Sequence, residues 1–394
     1  MQLFPKPYLV LIFLISVLGT SPLHPNPGFS FANQDWYQHA GKIYNGGVEV
    51  NIRGINWFGL ETTDRAPSGI WTSHKAGNIT IGHSIAWWTQ QILSLGFNAL
   101  RIPVSPQSLS NNPNIFPPAS WATTWDPTLT TGWKILNSML ANAQQYGLLV
   151  VIDYQTCNET QIAINLPGRP DNCTGYTITD WTDDLSTLAS LSRGYPNIFA
   201  IDIFNEPHNI SWAQWRDYAL QGVKAVYNSN PQVLSFVEGS DGLIPGDPIW
   251  TNWGENLYYA SSNQVSPAGV PKERILYSAH IYGHGNPNWQ ECFGYLVDQG
   301  YTVLIGEFGY DSNSTTDSQF GSTFIQWVKD KGIRNWMYWA INANEGSNFG
   351  FVQSWDPTWC AIVGDKLTRM QVIGLQPAAY ITSTNPPSLC NLSA

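Results

Sequence analysis

The sequence predicts an α/β protein built as a single (β/α)8 (TIM) barrel with elaborated βα loops, and three observations predict it. Short apolar runs of strand length occur at eight places along the 394 residues, roughly thirty to fifty residues apart. Most of the intervals carry a helical pattern, and such alternation means parallel strands joined by crossover helices. Each run also stops in polar or aromatic residues. Eight units over this length favour a closed barrel over an open doubly wound sheet. A dinucleotide-binding sheet would need Gly-x-Gly-x-x-Gly after its first strand, and Gly54-Ile55-Asn56-Trp57-Phe58-Gly59 does not supply it. No linker, low-complexity run or repeat suggests a second domain.

Residues 1–32 carry Lys6 and then an apolar run over 8–18 that is too short to span a bilayer and reads as a signal peptide. Cleavage before Asn33 follows from Ser30-Phe31-Ala32, with Ser21 as a rival site. Residues 33–394 would then be the secreted, extracellular domain, without a membrane segment. Residues 42–50 read as a hairpin whose Asn45-Gly46 turn supplies the positive φ angles. The strands follow at 51–58, 97–104, 148–153, 198–204, 233–237, 275–279, 303–305 and 333–339. Helices are expected around Ile85, Trp88, Ile92 and Leu95, and over 133–145, 181–193, 289–298 and 318–331.

Composition narrows the partner. Only 12% of residues are charged, 19 are Trp, and the net charge is −10. That balance argues against nucleic acid and anionic membrane, and favours a neutral ligand met by flat stacking surfaces. A monomer is expected. The five cysteines match no zinc spacing. Cys157 and Cys173 could close one loop and Cys360 and Cys390 could tie down the C-terminal tail, leaving Cys292 over. Asn-x-Ser/Thr sequons at Asn78, Asn158, Asn172, Asn209, Asn313 and Asn391 are permissive of glycosylation only.

In a barrel the residues that end the strands converge on one pocket. Here these are Trp57, Arg101, Asp153, Asn205, Glu206, Glu238, His280, Tyr282, Glu307 and Trp339. The run 198–204 stops at Asn205-Glu206-Pro207, where Pro207 cannot continue a ladder, so a carboxylate is left at the end of a buried strand. Taken singly, each residue has a plainer reading. Asn205 could cap a helix with Glu206 in its first turn, Arg101 could be a structural ion pair, and His280 could be a satisfied core histidine. Trp57, Trp253 and Trp339 could be core, while Asp153 and Glu238 read as structural. Jointly, two carboxylates from separate strands with an Arg, a His, a Tyr and Trp residues are what acetal hydrolysis requires. A protonated carboxyl donates to the leaving oxygen, and an ionised one attacks or activates water, so their surroundings must differ. Glu307, with an Arg such as Arg101 to hold it ionised, would be the second, and Glu206 the first. Only His280 among potential metal ligands of the histidine type stands at a strand end, so neither metal nor cofactor is expected. A non-catalytic glycan-binding protein would not need both carboxylates with Arg101 and Tyr282.

The set Gly54-Ile55-Asn56-Trp57-Phe58-Gly59, Leu100-Arg101-Ile102-Pro103, Phe204-Asn205-Glu206-Pro207-His208, Ser278-Ala279-His280-Ile281-Tyr282, Ile305-Gly306-Glu307-Phe308-Gly309 and Trp339 resembles glycoside hydrolase family 5, in particular its secreted bacterial endo-β-1,4-glucanases. The likeness runs from about Gly46 to Trp355, with the motifs in the family's order. It implies a retaining, metal-free mechanism on β-glucan, with Glu206 as acid/base and Glu307 as nucleophile. It further implies that Asn205 binds the sugar 2-hydroxyl, that Arg101 and Tyr282 hydrogen-bond the nucleophile, and that His280 lines the site near the acid/base. Trp339 would be the stacking platform, with Trp57 and Trp253 as further cleft aromatics. One departure stands out: the family's third strand commonly ends Asp-x-His, whereas this chain reads Asp153-Tyr154-Gln155. Gln155 can hydrogen-bond a sugar hydroxyl but cannot carry a proton. β-Mannan, xyloglucan or mixed-linkage glucan would use the same machinery, because loops make the deciding contacts.

Overall fold

Successive side chains of a strand point to opposite faces, and this alternation sorts the chain into an inside and an outside. On one strand Ala99 joins an inner buried cluster with Leu149, Val151, Ala200 and Phe236, while Leu100, Ile102 and Val104 join the larger cluster beneath the helices. The computed structural model describes residues 34–70, 83–110, 126–160, 169–241, 251–283, 288–343, 345–353, 360–379, 381 and 388–390. The signal-peptide reading of residues 1–32, and the sequons at Asn78 and Asn391, lie outside the described residues.

Strands β1 (Trp36–His39), β2 (Lys42–Asn45) and β3 (Val48–Val50) form an antiparallel sheet, and Trp36, Ile43 and Val50 join the inner cluster. They plug the amino-terminal end of the barrel, where the Trp36 amide donates to the Gln232 carbonyl at 2.8 Å. The turn differs from expectation: the positive φ angles belong to Gly46 and Gly47, and Asn45 stays in β2 paired with Val48. The barrel strands are β4 (Arg53–Asn56), β5 (Ala99–Val104), β6 (Leu149–Tyr154), β7 (Ile198–Asp202), β8 (Leu234–Glu238), β9 (Ile275–Tyr282), β10 (Val303–Gly309) and β11 (Trp336–Tyr338). They pair in parallel, in chain order, and β11 closes onto β4. The closed eight-stranded barrel predicted from the sequence is the one observed.

Helices α1 (Ile85–Ser94), α2 (Gly132–Tyr146), α3 (Ile178–Leu191), α4 (Trp212–Ser229) and α6 (Thr315–Lys331) begin at Ser84, Thr131, Thr177, Ser211 and Ser314, whose side chains accept from the first turn. The expected helix near 289–298 is a π-helical turn running into the short α5 (Tyr295–Asp298). Helix α4 was not legible in the sequence, because Gly222 interrupts its apolar face. The glycine is a packing requirement: a Cβ there would lie 2.6 Å from the Trp181 ring of α3. Helix α7 (Gly364–Val372) was missed as well. Its buried Lys366 donates to the Asn348 and Gly350 carbonyls at 2.8 and 2.7 Å, fixing the loop that carries Phe349.

The loops above the barrel are laced to one another. Arg65 makes two bonds of 2.6 and 2.7 Å to Glu159, whose amide donates to Gln107 at 3.1 Å, joining the loops after β4, β5 and β6. Cys157 pairs with Cys173 and Cys360 with Cys390, with Cys292 free and buried, as the spacing suggested. The Cys157–Cys173 link closes a loop across 16 residues of sequence. Replacing both cysteines by Ser is therefore expected to cost about 3 kcal/mol from the loop-entropy effect, read as a lower urea midpoint. A midpoint unchanged from wild type would show that the link does not constrain the unfolded chain.

Candidate active site

The inward columns that are apolar low in the barrel become charged at its carboxyl end. Two residues beyond Ala99 stands Arg101, beyond Val151 Asp153, beyond Ala200 Asp202, and beyond Phe236 Glu238. All four are fully buried. Glu307 reaches the same face by another route. Simple alternation would put it outside with Ile305, but a register shift between Ile305 and Glu307 turns it inward. Gly306 makes room at this point, since a Cβ there would lie 2.4 Å from Ser278 Oγ and 2.9 Å from His280 Nε2.

Arg101 is the hub. Its Nη2 lies 3.0 Å from an oxygen of each of Asp153, Asp202 and Glu238, and its Nη1 is bonded to Glu307 Oε1. It also donates to Asn205 Oδ1 at 3.0 Å and to Asn56 Oδ1 at 3.2 Å. One guanidinium thus faces four carboxyls, too many for all to be ionised in a water-free interior. Burial raises Asp153 well above the carboxylate range, and Glu238 to about 8. Glu307 is also raised: burial outweighs the pull of His280, Arg101 and the Tyr282 hydroxyl, and Glu206 adds to the rise. Arg101 does pull Glu307 toward the ionised form, as expected of a nearby Arg, but burial outweighs that pull.

Glu206 follows β7 with a positive φ of 46°, a conformation that costs an L-residue about 1–2 kcal/mol. Its amide donates to Glu238 Oε2 at 2.7 Å, and its carbonyl meets His208 Nδ1 at 2.7 Å. Its carboxyl Oε1 is 3.0 Å from His280 Nδ1, which is 3.6 Å from Glu307 Oε2. One oxygen of Glu206 and one of Glu307 lie within 4.8 Å of each other. Tyr282 donates to Glu307 Oε2 at 2.7 Å, and its ring stacks on Phe349. His280 is fully buried; burial pulls its pKa down, but Glu238 and Glu307, with the hydrogen bond to Glu206, raise it well above the usual value.

The aromatic residues divide. Trp339 is half-buried beside the end of β10, stacked on Phe58 with ring centres 5.4 Å apart. Trp253 is half-buried on the Glu206 side, stacked at 3.8 Å on His208. Trp57 is a correction: it has no exposed surface, its indole N–H donates to the Ser68 carbonyl at 3.0 Å, and it packs on Trp88. Strand alternation turns it outward under α1, not into the cleft. Gln155 stands at the rim of β6, and its Oε1 is buried without a hydrogen-bond partner among the described residues. Two acids were missed. Asp202 hides in an otherwise apolar strand, where a lone carboxyl is itself the signal of a buried partner. Glu61, in the loop after β4, accepts the Gly59 amide at 2.7 Å, and burial pushes it up to about 7, with Glu307 contributing to the rise.

Comparison with known proteins agrees with this geometry. Residues 47–345 match the family described as Cellulase (glycosyl hydrolase family 5). The chain is 26% identical to the major extracellular endoglucanase of Xanthomonas campestris, over 89% of this chain and 72% of that protein. It is 27% identical to endoglucanase C of Cellvibrio japonicus, over 80% of this chain but only 57% of that protein, so it spans little more than half of that relative. The solved hyperthermophilic endocellulase of the archaeon Pyrococcus horikoshii superposes with a TM-score of 0.73 over 88% of this chain and 100% of that one, at 23% identity, a likeness of fold.

Glu255 shows what enclosed acids do to stability. It lies beside Gly254 on the loop carrying Trp253, is buried, and accepts the Asn252 amide at 3.0 Å, yet burial raises it to about 8. A carboxyl raised in the folded state holds its proton there after the unfolded chain has lost it. Its stabilising effect is complete below about 4.5 and is lost as pH climbs to about 8. The expected outcome is a urea midpoint that falls over this window in wild type and falls less in Glu255→Gln. Equal slopes would show that Glu255 ionises normally.

Proposed function

This chain belongs to the cellulases of glycosyl hydrolase family 5, and we propose that it is a secreted endo-β-1,4-glucanase cleaving internal bonds with retention of configuration. The observation that carries the reading is the Glu206–Glu307 pair, with oxygens within 4.8 Å of each other and His280 Nδ1 facing both. Retaining glycosidases hold their carboxyls about 5–5.5 Å apart, whereas inverting ones leave about 6.5–9.5 Å for a water molecule. A gap this short favours direct attack.

Exposure distinguishes the two roles. The Glu307 side chain is 4% exposed and held on one oxygen by Arg101 and on the other by Tyr282, which aims it at a fixed point. The Glu206 side chain is 20% exposed, open to a substrate that lies over it. In the first step Glu307 forms a bond to the anomeric carbon as Glu206 protonates the departing oxygen. In the second, Glu206 takes a proton from water, and that water displaces Glu307. Asn205 has its Oδ1 occupied by Arg101, so its amide nitrogen is the end left for the sugar 2-hydroxyl. The Trp339–Phe58 stack offers a flat face to a pyranose ring, Trp253 a second on the Glu206 side, and Gln155 Oε1 an acceptor for a hydroxyl. Both relatives compared are named endoglucanases, and the Xanthomonas protein extracellular. With the two disulfides, this supports an extracellular β-glucan substrate for residues 33–394.

Glu307→Gly is expected to lose carboxymethyl-cellulose hydrolysis by several orders of magnitude and to regain turnover with azide, giving the α-glycosyl azide. A variant as active as wild type would remove Glu307 from the nucleophile's place. Faster turnover of mannan or mixed-linkage glucan than of carboxymethyl-cellulose would reassign the substrate. Because Glu307 stands above its ordinary pKa of 4.5, the acid limb of kcat/KM is expected above that value, and a limb below it would contradict the enclosure described.

A further inference from the structure

Glu238 takes no part in the proposed cleavage, yet it is the residue most closely fitted around Glu206. It is fully buried at the end of β8. Its Oε2 accepts the Glu206 amide at 2.7 Å, and its Oε1 accepts from Arg101 Nη2 at 3.0 Å and lies 3.1 Å from His280 Nε2, an ion-pair contact rather than an aligned hydrogen bond. The opposite nitrogen of that ring, Nδ1, is 3.0 Å from Glu206 Oε1. One carboxyl therefore reaches Glu206 twice, directly at the main chain and through the imidazole at the side chain. The surrounding backbone is shaped to this contact. Gly254, at φ +73°, lies over it so closely that a Cβ would be 3.0 Å from Glu238 Oε2 and 3.1 Å from His280. Gly306 closes the other side, 2.9 Å from His280 Nε2 by the same measure.

We propose that Glu238 is the positioning residue of the acid/base: it holds the Glu206 amide in the left-handed turn and, by pairing with His280 Nε2, presents Nδ1–H to Glu206 Oε1. Oε2 of Glu206 is then the oxygen that carries the transferable proton. This rests on the assignment of Glu206 given above. The charged groups around Glu238 are Arg101 from β5, Asp153 from β6, Asp202 from β7 and His280 from β9, and Glu307 from β10 shares Arg101 and His280 with it. Among them His280 is raised well above its usual value by Glu238 and Glu307, which favours keeping Nδ1–H as a donor. Through the cycle this donor stays in place. Glu206 Oε2 gives its proton to the glycosidic oxygen as the bond to the anomeric carbon breaks and the Glu307 bond forms. The carboxylate so produced accepts from Nδ1–H until water returns a proton to Oε2.

Glu238→Gln tests the assignment, because an amide has one acceptor where two are used. In either orientation its NH2 opposes the Glu206 amide or the Arg101 and His280 donors. The readout is kcat/KM, which reports the first step, on two substrates: cellotetraose, whose leaving oxygen needs a proton, and 2,4-dinitrophenyl β-cellobioside, whose leaving group needs none. The expected result is a fall of about 100-fold or more on cellotetraose, the scale of proton transfer, and little change on the dinitrophenyl glycoside. Equal losses on both would assign Glu238 to the nucleophile or to general packing, and no loss on either would remove it from the reaction. Should Glu238→Gln not fold, Glu238→Asp keeps the charge but is one methylene too short for both contacts, and the same split is expected. A wild type inert toward both glycosides would overturn the functional reading itself, and this inference with it.

Discussion

The guanidinium of Arg101 is the interaction on which the mouth of this barrel depends. Four carboxyls and two amide oxygens from five other strands or strand ends converge on it. Without it, Asp153 and Asp202 would lose their cation in a closed interior, where an isolated charge costs several kcal/mol, and Glu238 and Glu307 would keep only His280. Arg suits the position because its planar fork serves several partners in fixed directions, which a Lys ammonium does not. Arg101 and His280 together still leave the four carboxyls short of positive charge. Protons must make up the difference, and Asp153, neither of whose oxygens accepts a hydrogen bond among the described residues, has room for one. Asp153 is therefore raised; burial raises Glu238 as well, but donors fill both of its oxygens, and the partly exposed Glu206 sits where substrate can reach it.

Two departures from regular strand geometry turn this cluster into a site. The shift in β10 brings Glu307 from the helix-facing side to the barrel interior, onto Arg101 and Tyr282. The left-handed turn at Glu206 lifts the other carboxyl off the end of β7. Both are locally unfavourable, and each is held by several neighbours: Gly306 by the close approach of Ser278 and His280, Glu206 by Glu238 and His208. Strain sustained by surrounding contacts is characteristic of functional positions.

Much of this was legible in the sequence. Alternating strands and helices gave the barrel, and polar strand ends gave Arg101, Asn205, Glu206, His280, Tyr282, Glu307 and Trp339. All of these except Trp339 are tied, through Glu238, into one hydrogen-bonded network. What failed did so for identifiable reasons. Trp57 was placed in the cleft because it ends a strand, but facing depends on register, and register is not visible in one strand alone. Asp202 was passed over because five of the seven residues from Ile198 to Phe204 are plain β-formers around it. Helix α4 was hidden by Gly222, whose purpose is the ring of Trp181 on another helix. The role of Glu238 had no sequence signal, since its two partners, Glu206 and His280, are remote along the chain.

The same geometry gives two identical side chains the different surroundings that the proposed division of roles requires. Glu307 and Glu206 share one imidazole, but their other neighbours differ in kind. Glu307 meets Arg101 and a tyrosine hydroxyl, donors that orient a carboxylate and stabilise it once formed. The Glu206 side chain meets His280 alone among the described residues and otherwise faces the cleft. A carboxyl satisfied on both oxygens is fixed in direction and suited to attack, whereas one held at a single oxygen keeps the second free to give and receive a proton. The distinction therefore follows from how many oxygens the protein occupies, and Glu238, by holding the imidazole from behind, determines which oxygen of Glu206 stays free.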